Sequence, residues 1–240
     1  MGARPQNVLL LEDDPLMQRF VSYALEDMAL TLTSCNSVAQ AMDALSRQSF
    51  NWILTDLMLP GESGLSFIEK ISRMPEQLGS AQIVAISAGI DPGMQDTLTK
   101  LGVVRQLLKP VSVKTLQDLL KSNNTVSAAQ ETACGRLQAK ATYFADQAVL
   151  YEKFAEQCRT QFVRDVLEGE QAIREKNCAA AHNLAHSLKS VLQLLGETEA
   201  QHCAEALESL TKSPGLSPEA ERQWQALKNH LVQLSLDPRH

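Results

Sequence analysis

Val8-Leu9-Leu10-Leu11-Glu12-Asp13-Asp14-Pro15 is the stretch whose reading decides the fold. Four apolar residues without alternation read as a strand buried on both faces, the pattern of a parallel sheet. The run stops at three acidic residues. Pro15 follows where a helix begins, its restricted φ suited to the first turn. Leu16, Phe20, Tyr23 and Ala24 then recur on one helical face. A strand–helix unit is thereby legible, with carboxylates at the strand's carboxyl end.

The same unit recurs along the first half. Leu30 to Cys35 reads as a second strand, with Asn36 and Ser37 opening a helix through Leu45. Trp52 to Thr55 is a third buried run ending at Asp56, and Leu59-Pro60-Gly61 turns the chain into a helix carrying Leu65, Ile68 and Ile71. Ile83 to Ile86 ends at Ser87, and Asp91-Pro92 opens the next helix as N-cap and first turn. Val103 to Leu108 is closed by Lys109-Pro110, and Ser112 caps a last helix to about Lys121. Five strands alternating with five helices predict an α/β fold, a doubly wound parallel sheet.

In such a sheet the carboxyl ends of the strands meet in one crevice at the switch point. That crevice would collect Glu12, Asp13, Asp56, Ser87 and Lys109. Clustered carboxylates repel one another and call for a cation. A hard divalent ion, magnesium, suits oxygen ligands and leaves positions for phosphate oxygens. Lys109 adds a positive charge and Ser87 a hydroxyl donor, the inventory of phosphoryl transfer by positioning and charge neutralisation. Asp56, on the central strand, is the expected carboxylate nucleophile.

At Glu12-Asp13, Asp56, Ser87 and Lys109-Pro110, in this order and spacing, the first half resembles a response-regulator receiver domain of the flavodoxin-like (βα)5 class. The resemblance implies Asp13 and Asp56 as magnesium ligands, the Met58 backbone carbonyl as a third, and Glu12 acting more distantly through water. It also implies a cis Lys109-Pro110 bond, as receivers often have. One position departs: receivers usually carry an aromatic residue three places before the lysine, where this chain has Gln106. The usual conformational output is therefore not assumed.

From Gly135 onward only helical patterns appear. Leu150, Phe154, Cys158, Phe162 and Val166, with Ala155, Val163 and Leu167 beside them, predict one long amphipathic helix. Leu184, Leu188, Val191 and Leu195, with Ala181, Ala185 and Leu192, mark the buried stripe of the next, capped by Asn177 and stopped at Gly196. His182, His186, Lys189 and Gln193 recur on its other side. Ala200, Cys203, Ala204, Leu207 and Leu210 face inward on a third helix, and Trp224, Leu227, Leu231 and Leu234 on a fourth opened by Ser217-Pro218. Four antiparallel helices with short loops make a bundle.

A lone exposed histidine is most often a solvated surface residue. Here Ala185-His186-Ser187-Leu188-Lys189-Ser190, with Gly196 beyond, resembles the signature of histidine-containing phosphotransfer (HPt) domains. The resemblance implies His186 as phosphoacceptor and Lys189 as a charge favouring the phosphorylated form. Ser190 stands where the family has a glycine that leaves room for a partner's loop. His182, one turn before His186, is the rival acceptor, and the motif position sets it down as a solvated neighbour.

A charge of −6 and no basic block argue against nucleic acid as the main partner. Five cysteines without Cys-x-x-Cys spacing indicate neither a disulfide framework nor a zinc site. With no apolar signal core and no membrane-length run, a cytoplasmic location without membrane insertion is expected. The expected organisation is a receiver over 1–122, a linker over 123–134 and an HPt bundle over 135–240. The two resemblances imply a phosphorelay protein of two-component signalling, partnered by a sensor histidine kinase and by receiver domains of other proteins. It is expected to catalyse only its own phosphorylation and dephosphorylation. The alternative is a receiver that docks and regulates an HPt domain serving a separate pathway. A histidine kinase is disfavoured, since Ser187 rather than an acid follows His186 and no glycine-rich ATP motif follows.

Overall fold

The computed structural model describes residues 5–89, 92–121, 135–212 and 215–236. The chain divides into two units, Met1–Gln130 and Glu131–His240, each with its own core. Asp91, expected as an N-cap, and the expected linker 123–134 lie outside the described residues.

In the first unit the elements run β1 (Gln6–Leu11), α1 (Pro15–Ala24), β2 (Leu30–Cys35), α2 (Val38–Arg47), β3 (Trp52–Asp56) and α3 (Gly64–Ser72). A four-residue α4 (Pro75–Leu78) precedes β4 (Gln82–Ser87), followed by α5 (Pro92–Lys100), β5 (Val103–Leu108) and α6 (Val113–Lys121). The short α4 is the one element of this unit that the periodicity does not predict, since four residues are too few to carry a period. All pairings are parallel and the order is β2-β1-β3-β4-β5. The switch point therefore falls between β1 and β3, whose buried runs make the middle of the sheet.

Side-chain alternation sends Leu9, Leu11, Ile53, Ile83 and Ala85 to one face, against Ala41, Leu45, Phe67, Ile68, Ile71 and Leu98 of α2, α3 and α5. Helices α1 and α6 pack on each other, joined where the Gln117 amide donates to the Ala24 carbonyl at 2.8 Å. Helix starts follow local chemistry. Asp14 Oδ1 accepts from the backbone N–H of Leu16 and Met17 at 2.7 and 3.0 Å, with Pro15 in the first turn.

The second unit is helical: α7 (Arg136–Phe144), α8 (Ala148–Arg174), α9 (Cys178–Leu195), α10 (Thr198–Leu210) and α11 (Pro218–Leu236). Helices α8 to α11 each pack on the next and α11 returns to α8, while the shorter α7 packs on α8 and α9. The α7 helix is additional to the four read from the sequence. Tyr151, near the start of α8, donates its hydroxyl to the Leu195 carbonyl at the end of α9 at 2.9 Å, so these two run antiparallel. Asn177 caps α9 as expected, accepting from the Ala180 N–H at 3.1 Å, and Gly196 ends it with φ of 76°.

Along α8 the expected seam needs correction. Tyr151, Phe154, Ala155, Cys158, Phe162, Asp165, Gly169 and Ala172 are buried, whereas Val163 and Leu167 are exposed. Steps of four advance past a full turn by about 40° each, so a strict 4-residue series leaves the core after a few steps. Gly169 sits where the Trp224 ring lies flat on the helix; a Cβ there would meet the ring at 1.9 Å. The Trp224 indole N–H and Lys228 both donate to Glu170 next door, at 3.0 and 2.9 Å, and these bonds hold the Glu170 carboxyl below its usual pKa.

Candidate functional site

Two clusters follow from these frames, one in each unit. In the first, the expected residues meet. Glu12 and Asp13 leave β1, Asp56 ends β3 and Lys109 follows β5, all at the carboxyl edge of the sheet. Carboxylate oxygens of Glu12, Asp13 and Asp56 lie within 4.8 Å of one another. Lys109 Nζ donates to Glu12 Oε2 and to Asp56 Oδ2, each at 2.6 Å, and all three side chains are almost wholly buried. The reach is set by the ladder, because the Lys109 N–H donates to the Ser87 carbonyl at 2.8 Å and extends β5 past β4. The Lys109–Pro110 peptide is cis, as the resemblance implies.

The charges in this crevice strain against their surroundings. Burial pushes the Glu12 carboxyl well above its usual range; Lys109 opposes the shift, and Asp56 and Asp14 add to it. Burial likewise raises Asp13. Burial works against the Lys109 charge, but the Glu12 and Asp56 carboxylates more than offset it and raise its pKa. One ammonium thus bonds two of the three carboxylates. The donors are oxygen atoms only, which suits a hard divalent cation and not a soft one. The residues present fit a magnesium or manganese ion.

Around this cluster the supporting residues are placed as follows. The Met58 N–H donates to Asp56 Oδ1 at 2.9 Å, and the Met58 side chain is exposed at the rim. Ser87 is buried, and its hydroxyl donates to the Gly89 carbonyl at 3.1 Å, turned into its own loop. Gln106 donates its amide to the Gln95 carbonyl at 3.2 Å, tying β5 to α5 where the usual aromatic residue would stand. Gly64 opens α3 directly against the nucleophile's strand. Its N–H donates to the Leu57 carbonyl at 3.2 Å, and a Cβ on it would lie 1.8 Å from the Asp56 carbonyl oxygen. The sequence reading passed over Gly64, although a glycine at the first position of a helix is the signal that could have raised it.

In the second unit the expected face of α9 is changed by what packs on it. Helix α9 touches α7, α8 and α10, so its buried arc takes in Ser190 and Leu194, while Leu184 is only half-buried. Ser190 is 4% exposed and lies within the bundle, not on a surface offered to a partner's loop. His186 is not held out in solvent. Its side chain is 16% exposed, its Nδ1 lies 2.7 Å from Glu208 Oε1, and its Nε2 is buried without a hydrogen-bond partner. Lys189 Nζ donates to the other oxygen, Glu208 Oε2, at 2.6 Å. His182 is no solvated neighbour either, since its Nδ1 lies 3.1 Å from the Glu208 carbonyl oxygen and 3.2 Å from Thr211 Oγ1.

Glu208 is the residue that sequence reasoning missed. It is one of three glutamates on α10, and no periodicity links it to a histidine 22 positions earlier. Burial alone would raise its carboxyl, but the bonds from His186 and Lys189 outweigh that and hold it at about 2, from an ordinary 4.5. A depressed carboxyl contributes stability above its unfolded pKa and loses it as pH falls through the folded one. The clamp should contribute on the order of 1–2 kcal/mol at neutral pH after allowance for solvent screening. That contribution should fade from about 4.5 down to about 2. Urea unfolding of the helical unit against pH should show a gap between wild type and Glu208→Gln that closes over this window. A gap that stays constant down to the acid end would mean that the ionised carboxylate is not its source, and coincident curves that the clamp adds nothing to stability.

Comparison with known proteins bears on the first unit. Residues 8–121 match the response regulator receiver domain model. The signal transduction histidine-protein kinase BarA of Escherichia coli is 28% identical over 113 residues, 47% of this chain and 12% of that protein. The sensory/regulatory protein RpfC of Xanthomonas campestris is 28% identical over 205 residues, 78% of this chain and 28% of that protein. This chain therefore spans a small part of each of these relatives. A crystal structure of a response regulator receiver protein from Pseudomonas putida is 29% identical, with a TM-score of 0.46, covering 50% of this chain and 98% of that one. Among the described residues no helix is long and apolar enough to cross a membrane. With the sheet order, the acidic crevice and the matched residues in agreement, the N-terminal unit is a response regulator receiver domain of two-component signalling.

Proposed function

We propose that the chain is a phosphorelay protein, taking a phosphoryl group on Asp56 and carrying one on His186. The observation that carries the reading is the position of Asp56, at the end of the central strand with Lys109 Nζ 2.6 Å from its carboxylate. That ammonium is placed to neutralise a phosphoryl oxygen, and it lets go of a carboxylate to do so. Asp13, Asp56 and the Met58 carbonyl would hold magnesium, with Glu12 behind them; when bound, the ion supplies charge neutralisation to the incoming phosphoryl group. Ser87 would turn its hydroxyl from Gly89 toward the same group.

For the helical unit, the support is the His186–Lys189 pair on one turn of α9, within an HPt-like four-helix packing. The similarity to RpfC adds to it, because that match covers 78% of the chain and so extends well past the receiver. The partners are a histidine kinase and receivers of other two-component proteins, and no external substrate is turned over. The Gln106–Gln95 bond favours output by phosphoryl transfer over an aromatic switch. The docking alternative would make transfer through His186 indifferent to Asp56→Asn.

The test treats the chain with acetyl phosphate and magnesium. Acyl phosphate is base-labile and phosphohistidine acid-labile, so the two products separate. Wild type should acquire both, and His186→Ala should lose the acid-labile product while keeping the other. Acid-labile label that survives His186→Ala would move the acceptor to another residue and sink the assignment.

A further inference from the structure

We propose that α8 is a self-association surface, on which a second copy of this chain seats its own α8 antiparallel about a two-fold axis near residue 165. The inference goes beyond the transfer reading and does not depend on it.

The outer side of α8 departs from a solvated helix face. Val163 is 54% exposed, and Leu167, one turn on, is 66% exposed. Val232 on α11, one turn beyond the Lys228 that bonds Glu170, is exposed as well. Single apolar side chains at a surface are ordinary. The charges around this pair are what select an occupant. Glu156 precedes it and Arg174 follows it, both exposed. Eighteen residues make about five turns at 3.6 per turn, so these two project in the same direction. Arg164 and Glu168, also exposed, border the apolar pair on the flank away from Glu170.

A second α8 laid antiparallel, with its midpoint at the same level, matches each of these groups. Val163 meets the partner's Leu167, and Leu167 meets the partner's Val163. Glu156 meets the partner's Arg174 and Arg164 the partner's Glu168, and the two-fold axis repeats each pair. A parallel pairing would set Glu156 on Glu156 and Arg174 on Arg174, like charge on like. Helices packed ridge into groove approach to about 8–10 Å, close enough for the apolar pairs to interlock and the charged pairs to meet at the edges.

Such a pairing leaves the acceptor side open. In the ring formed by α8, α9, α10 and α11, the seam of α9 and α10 lies opposite that of α8 and α11. The His186–Glu208 contact belongs to the former. A strip this narrow makes a weak dimer, with a dissociation constant on the order of 10–100 μM.

The test is sedimentation of the full chain from about 1 to 300 μM, without phosphodonor or magnesium, so that receiver charging plays no part. The mass should rise from monomer to dimer across this range. Leu167→Glu should weaken the dimer at least about tenfold. Val149→Glu is the control: Val149 is 83% exposed on the same helix but lies beyond the paired segment, so the dimer should be unchanged. Glu156→Arg and Arg174→Glu should each weaken it about three- to tenfold, because each homodimer then holds two like-charged pairs. An equimolar mixture of these two should recover most of the wild-type affinity, since both pairs in the mixed dimer are opposite again. A chain that stays monomeric throughout gives this face to another occupant and overturns the pairing. So does a dimer indifferent to Leu167→Glu, one weakened equally by Val149→Glu, or a mixture no tighter than its parts.

Discussion

Asp56→Ala is expected to abolish the base-labile phosphate formed with acetyl phosphate and magnesium, lowering uptake by at least about a hundredfold. The reason lies in the neighbours. Glu12 is held against Lys109, which donates to its Oε2 at 2.6 Å, and it leaves β1 rather than the central strand's end. Asp13 is raised by burial and belongs to the ligand set. Neither can inherit the position at the end of β3 that aims Asp56 at the crevice. The measurement is the rate of base-labile label, with wild type and Asp13→Ala in parallel. Base-labile label persisting in Asp56→Ala would pass the nucleophile's role to another carboxylate and remove the basis of the proposed mechanism. Acid-labile label in the same sample carries further information. Its loss along with the acyl phosphate would make Asp56 the source of the phosphoryl group on His186, and its persistence would mean that His186 is charged independently.

Gly64→Ala should do comparable damage without touching a reactive atom. A methyl there would lie 1.8 Å from the Asp56 carbonyl oxygen, 2.8 Å from its carbon and 3.0 Å from Leu57 Cα. These neighbours are backbone at the end of a central strand, where Asp56 still pairs with Ile86 of β4. They cannot turn aside as a side chain would. Either α3 slides off the sheet, pulling Phe67, Ile68 and Ile71 from their packing, or the end of β3 bends and takes the nucleophile with it. An overpacked core site costs about 1–3 kcal/mol, and a clash with backbone should reach the top of that range or exceed it. Urea unfolding of the first unit should show the loss, and phosphate uptake on Asp56 should fall with it. Gly61 is the control. Its φ is 79° but nothing lies within 4 Å of a Cβ there, so Gly61→Ala should cost only about 1–2 kcal/mol of backbone strain. Equal stabilities for the two variants would mean that α3 starts elsewhere when residue 64 is changed.

What was legible beforehand divides along a physical line. Strand ends are written locally, because a buried strand needs an unbroken apolar run and stops where charge begins. Glu12, Asp56 and Ser87 could thus be assigned to one edge of a sheet from their position after such runs, and Lys109 with them. Helix starts are equally local, as Asp14, Ser37, Ser112 and Asn177 illustrate with their caps. The four-residue α4 carries no such signal, and α8 misled because a count of four mimics the helical period over two turns and departs from it over seven.

Periods and boundaries within a few residues suffice for the doubly wound sheet, the crevice at its carboxyl edge and the helix that carries His186. The folded chain alone reveals that Lys109 bridges two carboxylates 53 and 97 positions away, that Gly64 leaves no room beside Asp56, and that Glu208 closes on His186 and Lys189. It also turned the outward histidine of the pattern into a half-buried ring with one nitrogen clamped. Periodicity says which face of a helix avoids water, whereas a hydrogen bond between helices depends on how two such faces meet. That meeting is set by the packing of the whole core, which no local stretch of chain encodes.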